Sequence, residues 1–204
     1  MILRLMKAPI ISLALLLSTY AAFSQGSVKK DRFNYILSKA TGDLNKDQIP
    51  DFAIVTQDTL ADTAPYRIQV FFGKPGGGRT LVVSSTKAIA EQHPGGKNGY
   101  RDGYGFSEIE IAKNVLTISC ELLRGGNEAK FRYQNGNFEL IGFSESFSDG
   151  QGHIHSVDFN LSTNVIVHEK ENYETGKMVE STKKILKIRP LPKLQNYIPG
   201  ELLN

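Results

Sequence analysis

Apolar and polar residues alternate in short runs along most of this chain, and the period is two, the period of a strand with one buried face. Tyr66, Ile68, Val70 and Phe72 fall on one side of residues 66–73, and Arg67, Gln69 and Phe71 on the other. Leu116, Ile118, Cys120 and Leu122 share a face of residues 115–122, and Phe131 and Tyr133 alternate with Lys130 and Arg132. Strands are therefore predicted over 31–40, 52–57, 66–73, 80–85, 106–111, 115–122, 128–134, 137–143, 154–159 and 165–169, with a long Lys-rich strand within 172–188. Residues 31–40, with Phe33, Tyr35, Ile36 and Leu37, suit a short helix or a strand, the strand being favoured because they lead directly into an acidic loop, and helix is expected to be scarce.

Turn chemistry separates these runs. Asn135-Gly136 is a strong two-residue hairpin signal because both turn positions need φ > 0, which Asn and Gly adopt readily. Lys74-Pro75-Gly76-Gly77-Gly78-Arg79, Ala112-Lys113-Asn114, Ser162-Thr163-Asn164 and Thr175-Gly176 mark further reversals. The glycine run at 76–78 lacks the Gly-Lys-Ser/Thr ending and following helix of a phosphate-binding loop. About ten short strands joined this way predict an all-β fold, an antiparallel meander forming a sandwich or open barrel. Pro190 and Pro192 end the last strand, and 194–204 reads as a loose tail.

The first two dozen residues stand apart from this pattern. Arg4 and Lys7 precede an apolar run over 8–22, and Ala22-Phe23-Ser24 offers small residues before Gln25, as in a secretory signal peptide. The run is short of the ~20 residues that cross a bilayer. With Gln25, not Cys, after the cleavage point, no lipid anchor is expected. The expected organisation is a signal peptide over 1–24, one β-rich domain over 25–194 and a C-terminal tail over 195–204. Export to the periplasm or the extracellular space follows, with no membrane span after signal removal.

Charge narrows the partners. The 204 residues carry a formal +3, and losing Arg4 and Lys7 leaves +1, so a nucleic-acid partner, which calls for a basic stripe, is not expected. Cys120 is the sole cysteine, so no internal disulfide forms, and its apolar strand face predicts a small buried hydrophobe.

One stretch departs from plain alternation. Asp43, Asn45, Asp47 and Asp51 place oxygen-bearing side chains at positions 1, 3, 5 and 9 of a tight loop, with the Ile49 carbonyl at position 7. Calcium takes six to eight hard oxygens, and alternate residues of a loop supply them from one side. The loop departs from an EF-hand: position 12 is Ile54 and not Glu, its flanks are strand-like, and position 6 is Gln48 where Gly is usual. A non-Gly residue with φ > 0 costs on the order of 1 kcal/mol.

Gly42-Asp43-Leu44-Asn45-Lys46-Asp47-Gln48-Ile49-Pro50-Asp51-Phe52-Ala53-Ile54-Val55, followed by Arg67-Ile68-Gln69-Val70-Phe71-Phe72-Gly73, resembles one FG-GAP repeat, the calcium-binding blade motif of integrin α-type β-propellers. The resemblance spans about 35 residues, no second acidic loop is present, and it implies calcium at Asp43, Asn45, Asp47 and Asp51 in a loop between strands. More broadly, the exported start, the single Gly-Asp-Leu-Asn loop and Asp158-Phe159-Asn160-Leu161-Ser162-Thr163 resemble small exported bacterial proteins without an assigned function.

Two functional readings follow. The first is an exported calcium-binding β-domain, a non-enzymatic binding or structural module whose partner is a protein or glycan at the cell envelope. The second is a periplasmic hydrolase or carbohydrate-active enzyme using the loop over 88–105, with His93, Tyr100, Arg101, Asp102 and Tyr104, or using His153 and His155 near Asp158. Gly-x-Ser-x-Gly and His-Glu-x-x-His motifs are absent from the sequence.

Overall fold

A computed structural model describes residues 31–99 and 105–203. Asp31–Asn204 forms one compact unit. Eleven strands build it: β1 (Tyr35–Gly42), β2 (Asp51–Gln57), β3 (Tyr66–Gly73), β4 (Arg79–Ser85), β5 (Gly105–Ala112), β6 (Val115–Leu122), β7 (Gly125–Gln134), β8 (Asn137–Ser148), β9 (His153–Asn160), β10 (Val165–Asn172) and β11 (Met178–Ile185). No helix is present among the described residues. The fold is all-β, as the alternation predicts.

Both sheets are pure antiparallel meanders. β1-β2-β3-β4 form a four-stranded sheet, and β11 through β5 form a seven-stranded sheet in reverse chain order. Every neighbour in the sheet is a neighbour in sequence, so each strand needs only a short turn to find its partner. The two-residue turns follow from their residues. Lys113 and Asn114 have φ of 51° and 60°, and Asn135 and Gly136 have 52° and 72°, the primed-turn values that match strand twist. The first of these turns is one residue tighter than its sequence suggests, because Ala112 pairs with Val115.

The two sheets share one core. Ala53, Val55, Ile68 and Val70 of the smaller sheet face Leu116, Ile118, Phe131 and Phe159 of the larger one, all buried. Ring contacts cross between the sheets: Tyr66 lies 5.7 Å from Phe106, and Phe72 meets Tyr133 edge-on at 4.8 Å. Burial of such rings supplies most of the cohesion, since each removes a large apolar area from water. Strand β1 lies against β5, where the Ser38 hydroxyl accepts the Ile109 amide at 3.3 Å.

The C-terminal segment departs from expectation. It is no loose tail: Leu194 is fully buried, and Tyr197 is 5% exposed with its ring 5.4 Å from that of Phe131. The cause lies in β8, which begins pairing with β9 only at Gly142 and so leaves its first residues with unused backbone groups. Residues 192–194 fill that gap, with the Leu140 amide donating to Pro192 and the Leu194 amide to Phe138 at 2.8 and 2.9 Å. Buried backbone groups must find partners, and here the chain end supplies them.

Candidate functional site

The loop over 43–51 joins β1 to β2, and its geometry follows from its side chains. Asp43 Oδ1 accepts the Lys46 amide at 2.6 Å, and its Oδ2 accepts the Gln48 amide at 3.0 Å. Asn45 Oδ1 accepts the Asp47 amide, Asp47 Oδ1 accepts the Ile49 amide, and the Asn45 amide group donates to Asp47 Oδ2 at 2.9 Å. Short acidic and amide side chains fold back on nearby N–H groups in this way and replace strand pairing with turns. Lys46 and Gln48 take φ of 69° and 66°, the left-handed values that carry a cost for residues with a Cβ. The oxygen network holds them there.

Asp51 stands apart from the other three. It is fully buried at the start of β2, and its two oxygens accept the Leu44 amide at 2.8 Å and the Gly73 amide at 2.9 Å. The carboxylate thus ties the loop to the end of β3. Gly73 makes that reach possible, because a Cβ there would meet the Pro50 carbonyl oxygen at 2.5 Å. On the other side, Asn114 in the β5–β6 turn donates to the Asp43 carbonyl at 2.7 Å. The loop is therefore bonded to β3 of its own sheet and to a turn of the other sheet.

Asp43, Asn45, Asp47 and Ile49 lie in the connection between β1 and β2, and Asp51 is the first residue of β2. Their donors are hard oxygens of the kind calcium takes, while Asp51 turns both of its carboxylate oxygens to the Leu44 and Gly73 amides. No group of three or more His, Cys, Asp or Glu side chains among the described residues gathers as a metal site. Asn114 and Gly73 are the partners that sequence reasoning missed. Gly73 left a signal, as a glycine ending an otherwise regular apolar strand.

The second set of candidate residues is described only in part. Tyr100, Arg101, Asp102 and Tyr104 lie outside the described residues. His93 is buried, with its amide donating to the Thr63 carbonyl and its own carbonyl accepting the Gly96 amide. Its ring Nδ1 is buried without a hydrogen-bond partner among the described residues. His153 and His155 share a strand face as expected, but their common partner is Asp149, not Asp158. Asp149 Oδ2 lies 3.1 Å from His153 Nδ1 and 3.3 Å from His155 Nε2. The Gln151 amide, ahead of the His153 amide and the two imidazoles, holds the Asp149 carboxyl well below the ordinary carboxylate range against the opposing effect of burial. The ring of Phe147 stacks on His155 at 5.2 Å and 9°.

Cys120 is part-buried against the core, and burial pushes its thiol up to about 11. Only the thiolate is nucleophilic. Iodoacetamide at pH 8 is expected to leave the folded protein unmodified over an hour and to alkylate it stoichiometrically after unfolding in urea. Rapid labelling of the native protein, read by intact mass, would contradict this burial.

A polar groove of about 590 Å³ crosses the face of the larger sheet that points away from the core. Ser119, Glu128, Ser144 and Asp158 are register partners in one row across β6–β9. Glu121, Gly126, Ser146, Ser156 and Glu169 make the next row. These are the outward positions that alternate with Ile118, Ala129 and Phe159, so the same pattern that builds the core builds the groove. Glu128 pairs with Lys130 at 2.8 Å, both half-exposed.

Comparison of the chain with family models, with curated proteins and with solved structures finds no match. No helix among the described residues is long and apolar enough to cross a membrane.

Proposed function

We propose that the mature chain is an exported β-domain held in shape by calcium, acting as a non-enzymatic binding or structural module toward a protein or glycan at the cell envelope. The observation that carries this reading is the place of the 43–51 loop: Asp51 bonds it to β3 and Asn114 bonds it to the β5–β6 turn. A cation at Asp43, Asn45, Asp47 and Asp51, with the Ile49 carbonyl, would stiffen a joint on which both sheets depend. The FG-GAP resemblance supports the same assignment, since the stretch quoted for it ends at Gly73, the residue whose amide Asp51 holds. The groove of serines and carboxylates on the outer face offers hydroxyl and carboxylate acceptors of the kind that hold a sugar or a polar peptide.

Thermal melting tests the calcium assignment. For a site with an affinity near 10⁻³ M, as in extracellular modules, ten-fold excess calcium contributes about 1.4 kcal/mol, which is roughly a 3–5 °C rise for a chain of this size. Chelator is expected to reverse the rise, and Asp47→Ala to abolish it. Equal melting temperatures in millimolar calcium and in chelator would overturn the assignment.

A further inference from the structure

We propose that β11 is the surface on which two copies of this chain pair, joining their larger sheets edge to edge across a two-fold axis at Thr182. β11 is the terminal strand of its sheet, with β10 on one side and no strand among the described residues on the other. It also exposes apolar side chains that the fold does not use: Val179 is 55% exposed and Ile185 is 75% exposed. Such an edge is a template for another strand, and edge lysines and bulges restrict which strands can add to it. β11 carries both, Lys183 and Lys184 and a bulge at Val179, where Lys170 pairs with Glu180 and Glu171 with Met178. The question is which register satisfies those lysines.

In an antiparallel pair related by a two-fold axis, one residue faces its own copy, and residues equally far on either side face each other. Centring on Thr182 sets Glu180 opposite Lys184 of the second copy, and the symmetry makes that pair twice. Centring on Ser181 instead sets Glu180 against Thr182, and centring on Lys183 sets lysine against lysine. Of these registers, the one on Thr182 joins opposite charges, and it keeps the pairing clear of the bulge at Val179. Within each chain Glu180 is already opposite Lys170 on β10, so the joined sheet would carry a row of alternating charge, and directly opposed unlike charges favour a sheet where like ones oppose it.

Sedimentation of the wild-type chain is expected to show a dimer with a micromolar dissociation constant. Glu180→Lys alone and Lys184→Glu alone each face two like-charged pairs and are expected to weaken self-association at least ten-fold. Mixed together, the same two variants regain both opposite-charge pairs and are expected to form a heterodimer. Circular dichroism of these exposed-site variants checks that each is folded. A wild-type chain that stays monomeric to roughly 0.5 mM, retained dimerisation of Glu180→Lys, or failure of the mixture to pair would each overturn the proposal.

Discussion

Asp51→Ala is expected to lower the melting temperature by on the order of 10 °C, and to do so in chelator as well as in calcium. The substitution leaves the Leu44 and Gly73 amides without their acceptor in a site closed to water. A buried donor stripped of its partner costs about 1–3 kcal/mol, so two cost about 2–6 kcal/mol, and each kcal/mol is worth roughly 2–4 °C in a domain of this size. Asp51→Asn keeps one acceptor oxygen and is expected to lose about half as much. A melting temperature for Asp51→Ala within 2 °C of wild type would mean that the carboxylate does not hold the loop. The chelator arm matters because Asp47 is exposed at the rim, where water can replace its bonds to the Ile49 amide and to Asn45, so the larger part of its effect is expected through the cation. The pair of variants thus separates a joint made by protein hydrogen bonds from one made by metal.

Phe131→Ala is expected to destabilise by about 3–5 kcal/mol, the range for removing a large aromatic ring from a close-packed core. Phe131 is fully buried and meets Tyr197 edge-on at 5.4 Å and 75°. Tyr197→Ala removes the other half of that contact and loosens residues 192–197 from β8. The double variant is expected to be less destabilised than the sum of the two by about 0.5–1.5 kcal/mol, the worth of an aromatic pair beyond its buried area. Urea unfolding of the four chains measures this, and additivity within about 0.3 kcal/mol would show that the rings do not act together.

Much of the architecture was legible in the sequence because it is carried by local rules. Strict alternation set the buried face of β3, and Asn135-Gly136 set the β7–β8 turn to the residue. The Asp43 loop was legible for the same reason, since its side chains bond to amides two to five positions away. What was not legible depends on distance. Asn114 bonds to Asp43 across 71 positions, and no spacing rule announces it. The docking of Leu194 and Tyr197 depends on β8 extending beyond its partner β9, a length mismatch that appears only once the strands are paired. Asp149 was overlooked as the partner of His153 and His155 because it lies in a turn, where an acidic residue is ordinary.

The pairing of residues 192–194 with β8 sets an order of assembly. Chains emerge from the N-terminus, so all eleven strands, the last ending at Ile185, can meet their sequence neighbours before residues 192–194 follow, and those short-range pairings form quickly. The start of β8 must wait for the last dozen residues to emerge. Until then Leu140 and Phe138 sit on an open edge, and a chain cut short before Leu194 would keep that edge for good. A reporter or purification handle fused at the C-terminus therefore belongs beyond residue 203, behind a flexible spacer, where it leaves this closing segment free to reach its seat.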